Sequence, residues 1–234
     1  MDARAAFHQG AALVCFYLLS FFMRTAVYID GFNMYYGVLK GTAHKWVDLR
    51  KLMETLFPGE TITEIKYFTA AVANVPRNPT QRDDQYAYWR AAIFHSRVQI
   101  IEGKFHQSII RAALVNPPPN TMEVYKTEEK GSDVNLGAHL LMDAFQNRFD
   151  QAIVVTGDSD LVTPVSMVHH QLKKPVIVVN PQKKQKKMRR SYALQKASDS
   201  RRYKPFISTA ALSGCQMPAV LQDQYGTVSK PADW

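Results

Sequence analysis

Short apolar runs alternate with amphipathic segments along most of this chain. The apolar runs are rich in β-branched residues and have the length of buried strands, whereas the segments between them show the apolar spacing of helices. The pattern predicts strands at Thr25–Ile29, Thr63–Val72, Val98–Phe105, Ala152–Thr156 and Pro175–Asn180. It predicts helices at Asp48–Phe57, Gln81–Arg97, Asp133–Phe145 and Asp160–Leu172. This alternation predicts an α/β fold with a parallel sheet and helices on both faces.

Two regions outside this alternation are predicted to be loops or short pieces. Proline and asparagine residues predict loops at Asn74–Pro79 and Asn116–Asn120, and Met122–Lys126 is predicted as a short edge strand. After Pro181 the pattern changes to a basic, helix-like segment at Lys183–Lys196, followed by a tail punctuated by proline and glycine. We therefore divide the chain into a leader at 1–22, an α/β domain at 23–181 and a basic helical C-terminal extension at 182–234.

The leader contains an apolar run of 13 residues that ends at Met23. A membrane-spanning helix needs about 20 apolar residues, so the run is short for an anchor. It has the length of a signal-peptide core, but no small-residue cleavage site separates it from the first strand. A third interpretation, which we favour, is that translation starts at Met23. Association with a membrane is expected only if residues 11–23 are translated and retained.

Composition and charge narrow the classes of function. The 46% hydrophobic content is enough for one substantial core, and Cys15 and Cys215 are too few for a disulfide framework or a cysteine zinc cluster, which suits the cytoplasm. Residues 181–234 contain 11 Lys and Arg against 3 Asp and Glu, so the basic charge is concentrated near the C-terminus. Such a segment suits a polyanionic partner, with nucleic acid as the main candidate, although a solvated basic tail has the same composition.

Acidic residues occur where predicted strands end or helices begin. Asp30 and the amide Asn33 follow the first strand, and an acidic pair follows the strand at Ala152–Thr156. The acidic candidates are Asp30, Asp133, Asp143, Asp158 and Asp160. Carboxylates that meet at the carboxyl edge of a sheet repel each other unless a cation offsets them, and hard oxygen donors favour Mg²⁺ or Mn²⁺. Each acid also has a simpler interpretation, as a turn residue, a helix cap or an exposed helical carboxylate.

Three stretches together resemble the signatures of the NYN domain, a PIN-like nuclease family, with the LabA-like (DUF88) branch as the nearest match. They are Val27–Asn33 (VYIDGFN), Glu129–Leu136 (EKGSDVNL) and Thr156–Leu161 (TGDSDL). The resemblance implies a Rossmann-like, PIN-like sheet with a metal pocket at its carboxyl edge. It assigns Asp30, Asp133, Asp158 and Asp160 to that pocket with Asn33 beside them, and Asp143 less securely. His139 stands where many relatives carry Asp.

The activity implied by the resemblance is metal-dependent endoribonuclease cleavage, with Mg²⁺ or Mn²⁺ as cofactor and no small-molecule cofactor. The expected partner is RNA, most simply single-stranded, with DNA still open, and a homodimer is compatible with the sequence. The residues expected to attract the nucleic-acid backbone are Lys183, Lys184, Lys186, Lys187, Arg189 and Arg190. Phe32, Tyr35 and Tyr36 are candidates for stacking on a base. The alternative is a catalytically weak or inactive NYN-domain regulator that binds RNA or a protein.

Overall fold

The computed structural model describes residues 23–72, 74, 78–184 and 191–234. The strands in this part of the chain are β1 (Arg24–Asp30), β2 (Thr61–Thr69), β3 (Gln99–Glu102), β4 (Lys104–Ala113), β5 (Thr121–Lys130), β6 (Gln151–Val155), β7 (Val176–Val179), β8 (Val220–Asp223) and β9 (Gly226–Ser229). Five of them form one parallel sheet in the order β3-β2-β1-β6-β7. The remaining four form two antiparallel hairpins, β4–β5 and β8–β9.

Helices connect most of these strands. They are α1 (Gly31–Met34), α2 (Leu49–Leu56), α3 (Gln81–His95), α4 (Ser132–Phe145), α5 (Val162–Ser166), α6 (Tyr192–Ala197) and α7 (Thr209–Gly214). Two of them continue as π-helical turns, α1 over Tyr35–Leu39 and α5 over Met167–Gln171. A 3₁₀ turn at Ser159–Leu161 precedes α5, so the helix predicted at Asp160–Leu172 is three consecutive helical pieces.

The sheet separates two hydrophobic cores because successive strand residues point to opposite faces. Val27 and Ile29 of β1 belong to one core, which also contains side chains of α2 and α3. Ala26 and Tyr28 belong to the other, together with side chains of α4 and α5. The predicted α/β class, with helices on both faces of a parallel sheet, is therefore confirmed.

The long β4–β5 hairpin differs from the prediction. The strand expected at Val98–Phe105 is divided between β3 and β4, and the short edge strand expected at Met122–Lys126 lies in the N-terminal part of the ten-residue β5. The hairpin is solvated, with Ile109 63% and Tyr125 74% exposed. Without one consistently buried face, the apolar alternation that indicates a strand is weak.

The C-terminal region is also different from the predicted basic helical extension. Leu194 and Ala197 of α6 lie in one core, and Ile207, Leu212 and Met217 lie in the other. These residues therefore complete the domain that begins at β1. Lys183 and Lys184 have no regular structure, and the next helix among the described residues is α6, which begins at Tyr192.

The apolar leader at 1–22, together with Lys186, Lys187, Arg189 and Arg190, lies outside the described residues. Within the described part of the chain, no helix has both the length and the apolar character required to cross a membrane.

Candidate functional site

Polar residues follow three neighbouring strands at the carboxyl edge of the sheet. Asp30 ends β1, Thr156 follows β6, and Asn180 follows β7. Because β1, β6 and β7 are adjacent and parallel, these residues share one edge of the sheet. In open α/β sheets this edge is the usual location of a ligand crevice.

The Asp30 carboxylate is 2% exposed and is held by three hydrogen bonds. The Asn33 backbone N–H donates to Oδ1 at 2.9 Å, which caps α1, and the Asn33 side-chain Nδ2 donates to Oδ2 at 2.6 Å. The Thr156 hydroxyl donates to the same Oδ2 at 3.0 Å. All three donors are neutral, so the hydrogen bonds fix the position of the carboxylate without neutralising its charge.

Asn33 and Thr156 also join the end of β1 to the loop after β6. The Gly157 N–H donates to Asn33 Oδ1 at 3.1 Å, and the Asp158 N–H donates to the Thr156 hydroxyl oxygen at 3.0 Å. Asp158 Oδ1 in turn accepts from the Asp160 N–H at 2.9 Å and caps the 3₁₀ turn. The structure therefore brings Asp30, Asn33 and Asp158 together in one hydrogen-bonded network, with Asp160 at its exposed end.

The electrostatics of the network disfavour a charged Asp30. Burial is the largest of the causes that raise the pKa of the Asp30 carboxyl to about 6, and the negative charges of Asp133 and Asp158 act in the same direction. The hydrogen bonds from Asn33 and Thr156 act in the opposite direction. Asp133 and Asp158 thus lie near enough to Asp30 for their charges to act on it.

Asp133 reaches this region from the first turn of α4. The residue that caps the helix is Gly131, whose φ of +97° favours glycine, so the interpretation of Asp133 as the helix cap is wrong. Asp133 is half-buried. His139, one of the departures from the family pattern, packs its ring against Phe68, with 5.6 Å between the ring centroids.

Asp143, which we expected among the metal ligands, has a different role in the structure. Its Oδ2 accepts a hydrogen bond from the Tyr28 hydroxyl at 2.7 Å and forms an ion pair with Lys66 Nζ at 2.5 Å. Arg148 approaches its Oδ1 at 3.3 Å. Asp143 is thus the acid of a buried ion pair beneath the sheet, and the assignment to the pocket at the edge is corrected.

The donor chemistry of the edge suits Mg²⁺ or Mn²⁺, but the side chains do not form a ready-made cage. Carboxylate oxygens are the donors that these cations prefer. However, no three His, Cys, Asp or Glu side chains within the described residues converge into a group that could hold a metal ion. Asp30 already uses three of about four lone-pair positions for hydrogen bonds. Side chains at the edge would have to rearrange to bind a cation.

Two polar residues of the edge were not predicted as site residues. Thr156 lies inside a quoted motif, and its hydroxyl links Asp30 to Asp158. Asn180 follows β7, and its Oδ1 lies so close to Gly157 that a Cβ there would be only 2.8 Å away. The signal that identifies both is their position directly after a buried strand, the same signal that marks Asp30.

The described start of the basic segment lies beside this edge. Pro181 packs so closely against Gly37, in the π-helical turn after α1, that Gly37 has no room for a Cβ. Lys183 and Lys184 follow within three residues, and Lys184 Nζ lies 5.7 Å from the Phe206 ring centroid. The first two of the predicted backbone-binding lysines therefore lie near the acidic edge.

A second feature adjoins the edge on the opposite side of α1. An open-mouthed pocket of about 650 Å³, including the solvent at its mouth, lies beside Gly31 and Phe32. Half of its lining residues are aromatic, namely Phe32, Tyr35, Tyr36, Tyr67, Tyr88, Trp89 and Trp234. The three residues expected to stack on a base all line this pocket.

Comparison with known proteins places these features in a family. A protein named 6-hydroxy-3-succinoylpyridine 3-monooxygenase HspA, from Pseudomonas putida (strain DSM 28022 / S16), is 30% identical over 239 residues, which cover 91% of this chain and 75% of the relative. A solved structure of a Vibrio parahaemolyticus RIMD 2210633 protein of unknown function superposes with a TM-score of 0.48 at 14% identity, covering 80% of this chain and 93% of the other. The NYN domain matches residues 24–201. The chain therefore belongs to the NYN domain family.

Proposed function

We propose that the protein is a metal-dependent endoribonuclease that hydrolyses phosphodiester bonds of single-stranded RNA. The observation that carries this proposal is the buried Asp30 carboxylate, on which the negative charges of Asp133 and Asp158 act, at the carboxyl edge of an NYN domain. Buried carboxylates that repel each other destabilise the fold, and a bound divalent cation relieves that repulsion. The LabA-like branch remains our expectation within the family.

In this proposal the acids at the edge bind the metal ion, and the neutral residues beside them orient Asp30. Asp30, Asp133, Asp158 and Asp160 hold Mg²⁺ or Mn²⁺, which when bound lowers the pKa of a water and stabilises charge on the leaving oxygen. Asn33 and Thr156 fix the orientation of Asp30, so that its charge stays directed at the crevice. The expected products carry 5′-phosphate and 3′-hydroxyl ends.

The basic segment supplies the attraction for the substrate. Lys183 and Lys184 lie beside the edge, and Lys186, Lys187, Arg189 and Arg190 follow in the sequence. Cations that neutralise backbone phosphates make affinity fall steeply with salt concentration. We therefore expect RNA binding to weaken strongly between low and physiological salt, and DNA to compete for the same cations through its own backbone phosphates.

The test is manganese-dependent cleavage of end-labelled single-stranded RNA by the full chain. The double variant Asp158→Asn/Asp160→Asn should cleave at least about 100-fold more slowly while its RNA affinity is kept. The change removes the negative charges that would bind the metal ion, but the amide side chains have nearly the same shape as the carboxylates. Asp83→Asn, an exposed acid at the start of α3, is the matched control and should cleave normally. If the unmutated protein cleaves neither RNA nor DNA with Mg²⁺ or Mn²⁺, the proposal is wrong. RNA binding without cleavage supports the regulator instead.

A second candidate function is oxygenation of a heteroaromatic compound. The relative is named for a monooxygenase acting on a substituted pyridine, and the aromatic pocket beside Asp30 is the specific observation that favours this candidate. A monooxygenase reaction consumes O₂ and two electrons, so the assay supplies the named pyridine, ¹⁸O₂ and a reductant. Incorporation of one ¹⁸O atom into the pyridine by the unmutated protein supports this candidate, and its absence removes it.

A further inference from the structure

The aromatic pocket is built by elements on one side of the acidic edge. Its inner end is formed by Gly31, which lies against the Tyr67 ring, and by Thr69 at the end of β2. Helix α3 supplies Tyr88 and Trp89. The pocket therefore opens next to the residue that follows Asp30, although Asp30 itself does not line it.

The rings that line the pocket are held by one another. The Trp234 ring packs against Tyr88 with 5.7 Å between centroids and against Trp46 with 6.3 Å. Tyr67 and Tyr88 are in edge contact at 6.5 Å. Rings fixed in this way offer preformed faces and edges to a flat ligand, which gains both apolar burial and favourable ring geometry.

The pocket also contains a cation. Lys45 lies at the pocket with its Nζ 5.1 Å from the Trp234 ring centroid, and it donates a 3.0 Å hydrogen bond to the Asp233 carbonyl oxygen. Among the described residues this is the one hydrogen bond found for Lys45 Nζ, and an ammonium has three N–H donors, so capacity remains for an anionic group. Among the described residues that line the pocket, none is Asp or Glu. The described lining of the pocket therefore includes one cationic side chain and no acidic side chain.

Polar groups at the pocket wall are partly committed to the fold. Gln85 accepts from the Val72 N–H at 2.9 Å and donates to the Ala70 carbonyl oxygen at 3.1 Å, which fixes the chain after β2. Gln81, at the start of α3, also lines the pocket. The wall therefore combines rigid rings with an ammonium and an amide, which are groups that recognise a polar heteroaromatic ring.

We propose that this pocket binds one planar heteroaromatic ring that carries an anionic group, with the ring between the aromatic side chains and the anion at Lys45. Two sources have this chemistry, a nucleotide and a free heteroaromatic acid. The binding does not depend on whether the acids at the edge cleave phosphodiester bonds. A failed nuclease assay and a failed binding assay are therefore separate results.

The experiment is calorimetric titration of the full chain with matched small probes. The probes are uridine 5′-monophosphate, 6-hydroxypyridine-3-carboxylate and cyclohexanecarboxylate, the last having the charge without the aromatic ring. One or both aromatic probes should bind at least about tenfold more tightly than cyclohexanecarboxylate. The probe that binds more tightly identifies the source. Equal or undetectable binding of all three overturns the proposal.

Two substitutions locate the binding within the pocket. Tyr36 is 62% exposed, so Tyr36→Ala should preserve the fold. It should weaken the binding of the aromatic probe by about fivefold. Lys45→Gln should weaken the binding of both the aromatic acid and the nucleotide by about threefold. The matched controls are Tyr192→Ala, 75% exposed at the start of α6, and Lys51→Gln, exposed on α2. Binding that falls equally in the controls, or that ignores both pocket variants, contradicts the proposal.

Discussion

Asp30 and Asp143 are two aspartates of equal burial with opposite electrostatic environments. Both are 2% exposed, and both lie on the same side of the sheet. Asp143 has Lys66 at 2.5 Å and Arg148 at 3.3 Å. Asp30 is held by neutral donors, with Asp133 and Asp158 nearby, and the ion pairs found between described residues do not include it.

The difference separates an acid that supports the fold from an acid that is available for chemistry. A buried charge with a hydrogen-bonded counterion is satisfied, and removing its partner is costly. A buried charge without a counterion destabilises the fold and is the type of group found at functional sites. The register of the sheet places the two environments close together, because Lys66 pairs with Tyr28, two residues before Asp30.

The largest expected effect comes from breaking the buried ion pair. Lys66→Met should lower the free energy of unfolding by about 3–5 kcal/mol, because the Asp143 charge stays buried without its main counterion. The double variant Lys66→Met/Asp143→Leu should recover a large part of this loss. Urea unfolding followed by circular dichroism measures both. A single variant as stable as the unmutated protein would show that the ion pair is not what satisfies Asp143.

The free energy of unfolding should decrease as the pH rises through the range in which Asp30 loses its proton. The pKa of Asp30 in the fold, about 6, lies above its ordinary value of 3.8, so the folded protein binds the proton more tightly than the unfolded chain. The contribution of Asp30 protonation to the free energy of unfolding is therefore fully present below about pH 4. It is lost as the pH rises to about 6, by up to about 3 kcal/mol. Unfolding of the unmutated protein and of Asp30→Asn is compared in the presence of a chelator.

The comparison with Asp30→Asn isolates one group from the others that titrate in the same range. Asp150 changes the stability with pH in the opposite direction, because its hydrogen bonds with Arg24 lower the pKa of its carboxyl. A difference between the two proteins that grows with pH in the direction of a more stable unmutated chain would contradict the raised pKa of Asp30.

Asp30→Asn should separate activity from stability. Under the proposed function, RNA cleavage falls by about 100-fold, since a central carboxylate of the edge is lost. The unfolding free energy at pH 7 should fall by less than in Lys66→Met, because the loss of the repulsion offsets the two hydrogen bonds from Asn33 Nδ2 and the Thr156 hydroxyl that an amide NH2 group cannot accept. Lys66→Met provides the opposite profile. An Asp30→Asn protein that cleaves normally would remove Asp30 from the catalytic group.

The smallest effect is expected from the hydroxyl that connects Asp30 with Asp158. Thr156→Val removes one donor and one acceptor at nearly constant shape, and should cost about 1–2 kcal/mol of stability. Thr25→Val is a matched control at the start of β1, where the hydroxyl accepts from Gln151 Nε2 at 2.8 Å. Both variants should lose similar stability, but only Thr156→Val should slow cleavage. Thr156→Ser should restore it.

Much of the framework follows from local sequence. Buried strands such as Ala152–Val155 are apolar on both faces, so their positions in the chain are visible without a structure. The acids at strand ends, Asp30 and Asp158, are visible for the same reason. The full length and pairing of the β4–β5 hairpin and the packing of the C-terminal region were not predicted, because their residues lack a continuous apolar pattern and are positioned by contacts with distant segments.

The sequence by itself determined the α/β class, the order of the strands along the chain and the polar residues that end them. Only the tertiary structure decided which acids share an environment. Asp143 and Lys66 are 77 residues apart in the chain, and the local sequence around either residue does not predict their contact. Charge compensation acts through space over a few ångströms, whereas sequence patterns describe neighbours along the chain. The same residue type therefore became an ion-pair acid at position 143 and an uncompensated acid at position 30.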